Sequence, residues 1–245
     1  MFAFEQALQG RGVALHRFAG PAAQAGQLAA DVAERLRAAI AERGRASLAL
    51  SGGRSPIPFL QALASHVLDW ECVKLTLVDE RWVPASEPQS NAGLLQTHLG
   101  PLFGRVQWLP LYGGDSPQRD AELASAQLAA WLPLDVVVLG MGTDGHTASL
   151  FPGGGDLSRW LQADCDAVCV ATVATDGAPR LTMTGRALHS ARYRALAISG
   201  TAKLQVLRCA VTGAPGECWP IAAFLHAPME IYYCPEDGPI NDLTA

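Results

Sequence analysis

Positions 134–139 of the 245-residue chain end in three consecutive valines and a leucine, Val136, Val137, Val138 and Leu139. A β-branched run that is apolar on both faces suits a strand in the middle of a parallel sheet. It passes directly into LGMGTDGHTASLFPGGG at 139–155. Gly140, Gly142 and Gly145 let the backbone turn tightly there and approach other groups closely. Asp144 and His146 sit inside the turn, a carboxylate beside a ring that exchanges protons near neutral pH. In an open α/β sheet the ligand lies at such a strand end. Gly140-x-Gly142-x-x-Gly145 also fits the dinucleotide fingerprint, but that pattern requires a full crossover helix opening at its third glycine. Pro152 and the run Gly153, Gly154, Gly155 stop any such helix.

The rest of the chain alternates strand and helix. A strand over 13–18 precedes Pro21, and a helix from there to Arg43 carries Leu28, Val32, Leu36 and Ile40 on one face, with Gly44 after its end. Strands are expected over 46–50, 74–78, more weakly over 106–111, then over 167–173, 194–199 and 230–233. Helices are expected over 56–67, from 90 to 99, over 118–131, over 180–191 behind Pro179, from Gly200 to Val211, and over 220–226. This order predicts an α/β fold, a doubly wound, mainly parallel sheet with right-handed crossovers and helices on both faces. No Pro/Gly/Ser linker separates two halves, so residues 1–245 are expected to form a single domain.

Composition narrows the partners. Net charge is −5, no Lys/Arg-rich run is present, and nucleic acid is not an expected ligand. No apolar run reaches bilayer length and the N-terminal residues lack the order of a signal peptide, so no membrane association and a cytoplasmic location are expected. The six cysteines (Cys72, Cys165, Cys169, Cys209, Cys218, Cys234) show no CxxC spacing. They read as reduced thiols rather than a disulfide scaffold or a zinc site, and no metal is expected.

Four polar clusters fall where a strand passes into a helix or loop, and in a parallel sheet such ends line one edge. Ser51, Gly52, Gly53, Arg54 and Ser55 form a candidate anion cradle, in which glycines turn several N–H groups one way at the start of a helix. The alternative is a plain βα turn capped by Ser55. The order is not that of a nucleotide P-loop, so a small phosphate ester is the better ligand. Asp79, Glu80 and Arg81 follow an apolar strand and precede Trp82-Val83-Pro84, a stiff apolar wall. Lys203, and Arg180 at an expected helix start, are either phosphate contacts or solvated charges. His146 is the candidate general base, with Asp144 orienting its ring. The other histidines (His16, His66, His98, His189, His226) are assigned structural roles, as is Ser149. No GxSxG elbow supports a serine nucleophile.

Taken together, SGGRSP at 51–56, DERWVP at 79–84 with Ser90-Asn91, GMGTDGHTASLFPG at 140–153, RLTMT at 180–184 and GTAK at 200–203 resemble the 6-phosphogluconolactonase family. That family shares its fold with glucosamine-6-phosphate deaminase. The deaminase block resembles DGHIAFNEP, with a glutamate two residues after the phenylalanine, and its first motif reads DEY. Here Phe151 is followed by Pro152 without that carboxylate, and the motif reads DER, which favours the lactonase. The resemblance implies hydrolysis of 6-phospho-D-glucono-1,5-lactone in the oxidative pentose phosphate pathway, with no metal and no organic cofactor. It implies that His146 activates water, that Arg81 faces the lactone oxygen, and that the phosphate rests on residues 51–55, Arg180 and Lys203. Asp79, Asn91 and Gly142 complete the implied site, and a monomer or weak homodimer is expected. Arg54 fills a slot that varies in the family, and the stretch 220–240 matches loosely. Two other readings are an isomerase or deaminase acting on glucosamine 6-phosphate and a non-catalytic sugar-phosphate sensor.

Overall fold

A computed structural model describes residues 2–213 and 219–235. Its strands in chain order are β1 (Val13–Arg17), β2 (Ala46–Leu50), β3 (Val73–Leu77), β4 (Asp79–Arg81), β5 (Gln107–Trp108), β6 (Val136–Leu139), β7 (Cys169–Val173), β8 (Pro179–Met183), β9 (Tyr193–Ser199) and β10 (Met229–Cys234). The helices are α1 (Phe2–Gly10), α2 (Pro21–Arg43), α3 (Ile57–Ala64), α4 (Asn91–Leu99), α5 (Pro117–Ala129), α6 (Leu157–Trp160), α7 (Gly185–Ser190) and α8 (Thr201–Thr212).

Seven strands form one sheet in the order β1-β10-β9-β6-β2-β3-β5, with every pairing parallel. Every residue of β2 and β6 is buried, as central strands covered on both sides must be. The one carboxylate at the foot of the valine run, Asp135, is paired: it accepts from Ser47 N (2.8 Å) and Arg43 Nη2 (2.7 Å), joining β6 to β2. Pro21 opens α2, which buries Leu28, Val32 and Leu36 and ends on left-handed Gly44. α2 packs on α3 and α3 on α4, while α1 packs on α8. The expected α/β architecture with a parallel sheet is the one observed.

The chain runs outward from β2 through β3 to β5, then returns to place β6 on the other side of β2 and continues to β9 and β10. The direction of winding therefore reverses between β2 and β6. In sheets of this kind the crevice beyond the carboxyl ends of those two strands is the ligand position.

Two expectations are corrected. Strict β-α alternation left no room for a second sheet, yet β4, β8 and β7 form a three-stranded antiparallel one beside the first. Residues 180–191 were expected as one helix behind Pro179. Instead Pro179 starts β8, where its missing N–H is tolerated, and helix is confined to Gly185–Ser190. Asp176-Gly177, with Gly177 at φ +84°, closes the β7–β8 hairpin, and this pairing overrides the helical preference of the sequence that follows. The helix α1 was not expected at all.

Candidate active site

The cradle leaves the carboxyl end of β2. Ser51 N donates to Val138 O (3.0 Å), and Ser51 Oγ accepts from Gly140 N (3.2 Å), so the turn is fixed to the end of β6. Gly53 takes φ +91°, which favours glycine. A Cβ at Gly52 would overlap the amide of Asn91, so the close approach of the two chains requires a residue without one. Ser55 does not cap α3; the cap position is Pro56, which has no side-chain bond. The backbone N–H groups of residues 52–55 have no acceptor among the described residues. Arg54 and Ser55 are exposed. Four amides at one turn, beside a helix start, suit an anion.

β4 diverges from the end of β3 into the second sheet. Asn91 Nδ2 donates to Asp79 O (2.8 Å), and Ser149 Oγ donates to Asp79 Oδ2 (2.6 Å). Burial pushes the Asp79 carboxyl up, opposed by the Ser149 bond and by the charges of Arg81, His146 and Arg180. Those four groups therefore share one electrostatic environment. Glu80 points the other way and is fully buried. Its oxygens accept from Arg81 N (2.7 Å), Asn91 N (2.8 Å), Ala92 N (2.8 Å) and Ser90 Oγ (3.0 Å), so this carboxylate anchors the start of α4.

Arg81 Nη1 donates to Asn91 Oδ1 (2.9 Å) and to Gln89 O, both neutral acceptors. Across the strand pair Arg81 is in register with Arg180. Directly opposed residues of an antiparallel pair project to the same face. Neither arginine forms an ion pair among the described residues, and burial, followed by the Arg81 charge, holds Arg180 below the usual guanidinium range. Arg180 thus lies on a strand beside Arg81 rather than at a helix start, because β8 replaces the expected helix. Two cations placed together, with carboxylates near but none in ion-pair contact among the described residues, make a wall that attracts anions.

Beyond β6, Gly142 N donates to His146 O (2.9 Å) and Gly145 N to Gly142 O (3.1 Å), with Gly145 at φ +77°. This tight loop folds Asp144 back onto His146. Asp144 Oδ1 accepts from His146 N (3.1 Å) and lies 2.6 Å from Nδ1. A Cβ on Gly142 would overlap the imidazole, so glycine is required there too. Phe151 packs against the ring at a centroid distance of 4.7 Å. A carboxylate only accepts, so Nδ1 carries a hydrogen, and in the neutral ring Nε2 is bare. Nε2 has no partner among the described residues, and the side chain is 32% exposed. Partial burial works against ionising Asp144, but the hydrogen bonds and charge of His146 outweigh it and hold the carboxyl below its usual range. Lys203 lies in the first turn of α8, past left-handed Gly200 at the end of β9, next to β6 in the sheet. It is half-buried, and its side chain forms no ion pair or hydrogen bond among the described residues.

A family model described as glucosamine-6-phosphate isomerases/6-phosphogluconolactonase matches residues 19–232. The 6-phosphogluconolactonase of Pseudomonas putida is 47% identical over 228 residues, covering 91% of this chain and 93% of that one. That of Rhizobium meliloti is 44% identical over 229 residues, covering 90% and 98%. The chain belongs to the glucosamine-6-phosphate isomerase/6-phosphogluconolactonase family. The crystal structure of a 6-phosphogluconolactonase from Shewanella baltica superposes with a TM-score of 0.82 at 34% identity, covering 91% of this chain and 97% of that one. A monomeric glucosamine-6-phosphate deaminase superposes at 0.72 with 18% identity, covering 91% and 98%, which shows the shared fold of the family.

This family member uses residues that its sequence did not single out. Trp219 packs against Gly145, and Ile221 N donates to Gly145 O (3.0 Å), so a segment more than seventy residues away backs the Asp144–His146 loop. Ser149 is more than packing, since it holds Asp79. Neither role leaves a local signal, because both depend on contacts between distant segments. No helix among the described residues is long and apolar enough to cross a membrane. Cys72, Cys165, Cys169 and Cys209 are free thiols, and Cys218 lies outside the described residues.

Proposed function

We propose that the chain hydrolyses 6-phospho-D-glucono-1,5-lactone to 6-phosphogluconate, as the names of its relatives indicate for them. The observation that carries this reading is the His146 ring, held through Nδ1 by Asp144 with Nε2 bare, on the rim where the 51–55 turn and the Arg81–Arg180 wall also lie. Nε2 takes a proton from water as the water oxygen bonds to C1 of the lactone. The carbonyl oxygen gains the negative charge, and Arg81 faces it. When the tetrahedral intermediate collapses, the bond from C1 to the ring oxygen breaks and the imidazolium returns its proton to that oxygen. Asp144 stabilises the imidazolium in between.

The distal phosphate rests on the amides of residues 52–55, with Arg54, Arg180 and Lys203 supplying charge. Held there, it fixes the ring for attack with binding energy remote from the reacting carbon. A δ-lactone is already an activated ester, so a base, one charge-stabilising group and this grip are sufficient.

The test is a lactonase assay with spontaneous hydrolysis subtracted. His146→Ala is expected to lower kcat by about 10²–10⁴-fold with the fold intact by circular dichroism. Turnover close to wild type in that variant would end the proposal, as would ammonia release from glucosamine 6-phosphate in place of lactone hydrolysis.

A further inference from the structure

The Asn91 carboxamide stands between the 51–55 turn and Arg81. It is buried at the first position of α4, so its polar atoms need partners inside the protein. Nδ2 donates to Asp79 O (2.8 Å) and Oδ1 accepts from Arg81 Nη1 (2.9 Å). Neither partner leaves a choice, because a carbonyl oxygen only accepts and a guanidinium only donates. The amide therefore has one orientation, with its oxygen toward the arginine. The same group lies so close to Gly52 that a Cβ there would overlap it. Through this one side chain the cradle, the start of β4 and Arg81 keep fixed positions relative to one another.

The chemistry of this anchor matters as much as its geometry. An aspartate has nearly the same shape and accepts more strongly from a guanidinium. At the first position of a helix it also meets the positive end of the dipole. Such a residue would pair with Arg81 and cancel its charge. The amide fixes the same Nη1 and carries no charge, and the other acceptor on Nη1, Gln89 O, is neutral as well. The carboxylate nearest in sequence, Glu80, is turned to the opposite side of β4. There it is occupied by Arg81 N, Asn91 N, Ala92 N and Ser90 Oγ. The anion at this corner thus serves backbone amides, and the guanidinium is held by neutral oxygens.

We propose that Asn91 is a positioning residue that orients Arg81 through a neutral acceptor, so that the guanidinium keeps its charge for the oxygen at C1 of the bound sugar derivative. The inference rests on the function proposed above, in which Arg81 faces that oxygen and the amides of residues 52–55 hold the phosphate. Asn91 acts through Arg81 and through the turn, and needs no contact with the ligand. It sets how far the grip on the phosphate stands from the charge at the reacting end.

The experiment compares Asn91→Asp with Asn91→Ala in the full chain. Both lose the donation to Asp79 O, and only the first sets a negative charge against Arg81. Binding of 6-phosphogluconate is measured by calorimetric titration at low and at high salt. Asn91→Asp is expected to bind about tenfold more weakly than Asn91→Ala at low salt, and the gap narrows at high salt as the charges are screened. A merely structural role weakens both variants alike at either salt concentration. Equal affinities, or a gap that salt does not narrow, overturn the proposal. Asn91→Ala gives a second reading that stands even where Asn91→Asp does not fold. Its kcat for lactone hydrolysis is expected to fall about tenfold, because Arg81 loses its side-chain anchor. A wild-type kcat in that variant overturns the proposal as well. Failure of the underlying function looks different: the wild type itself then shows no lactone hydrolysis above background, and the proposal falls with it.

Discussion

Two helix starts stand side by side at this edge of the sheet, and they treat their positive ends differently. At α4 the protein supplies its own anion: Glu80 takes Asn91 N and Ala92 N, and the Ser90 hydroxyl takes Gly93 N. At α3 the turn of residues 52–55 presents its amides to no acceptor among the described residues. The two are joined, since Asn91 touches both Gly52 and Arg81. An internally neutralised helix start makes a rigid support, whereas an unneutralised one makes a binding surface. The first positions Arg81, and the second is the one proposed above to take the phosphate.

The largest effect is expected where the support is broken. Glu80→Gln turns an amide donor toward groups that are themselves donors, and it should cost about 3 kcal/mol of stability by urea denaturation, because two buried donors lose their acceptor. Activity should fall with it as Arg81 loses its hold. A variant as stable as wild type would mean that Glu80 does not anchor α4. Next comes the surface. Gly52→Ala drives a Cβ into the buried Asn91 amide and should raise KM about tenfold, some 1.4 kcal/mol, along with a loss of stability. An unaltered KM would remove the cradle from substrate binding.

Lys203→Ala should raise KM by no more than about fivefold, since a half-exposed charge contributes on the order of 1 kcal/mol or less. Steady-state kinetics at two salt concentrations would reveal it, and an effect on kcat alone would contradict a binding role. The smallest effect belongs to Asp144, a carboxylate that bonds backbone N–H in a loop rather than at a helix start. Its folded pKa is lowered, so its stabilising contribution is present above the ordinary carboxylate pKa and is lost as pH falls through the lowered value. The stability gap between wild type and Asp144→Asn should therefore close in acid. A gap that widened on acidification would reverse the assigned sign.

The sequence made one of these two regions easy to read and the other hard. The loops after β2 and β6 follow apolar runs immediately and are dense in glycine, so the local chain announces both the strand end and the turn. His146 and Asp144 are two residues apart, and their contact is nearly dictated by Gly142 and Gly145. The role of Glu80 was not legible, because its partners at residues 90–92 come through folding of an intervening loop. Arg180 was misplaced because Pro179 suits a helix start as well as a strand start. Asp176-Gly177, between two runs of strand-forming residues, was the available hairpin signal. Trp219 lies too far along the chain for any local pattern to connect it with Gly145.

The facing arginines of β4 and β8 have a consequence for selectivity. Like charges at 81 and 180 repel, and the carboxylates of Asp79, Glu80 and Asp176 offset this only from a distance, since none forms an ion pair with either arginine among the described residues. On the function proposed above, a dianionic sugar derivative would relieve that repulsion as it docks, so affinity and charge relief would arrive in one event. An uncharged lactone of the same shape would gain no such relief, so on that proposal discrimination against it is built into the resting protein before any chemistry begins.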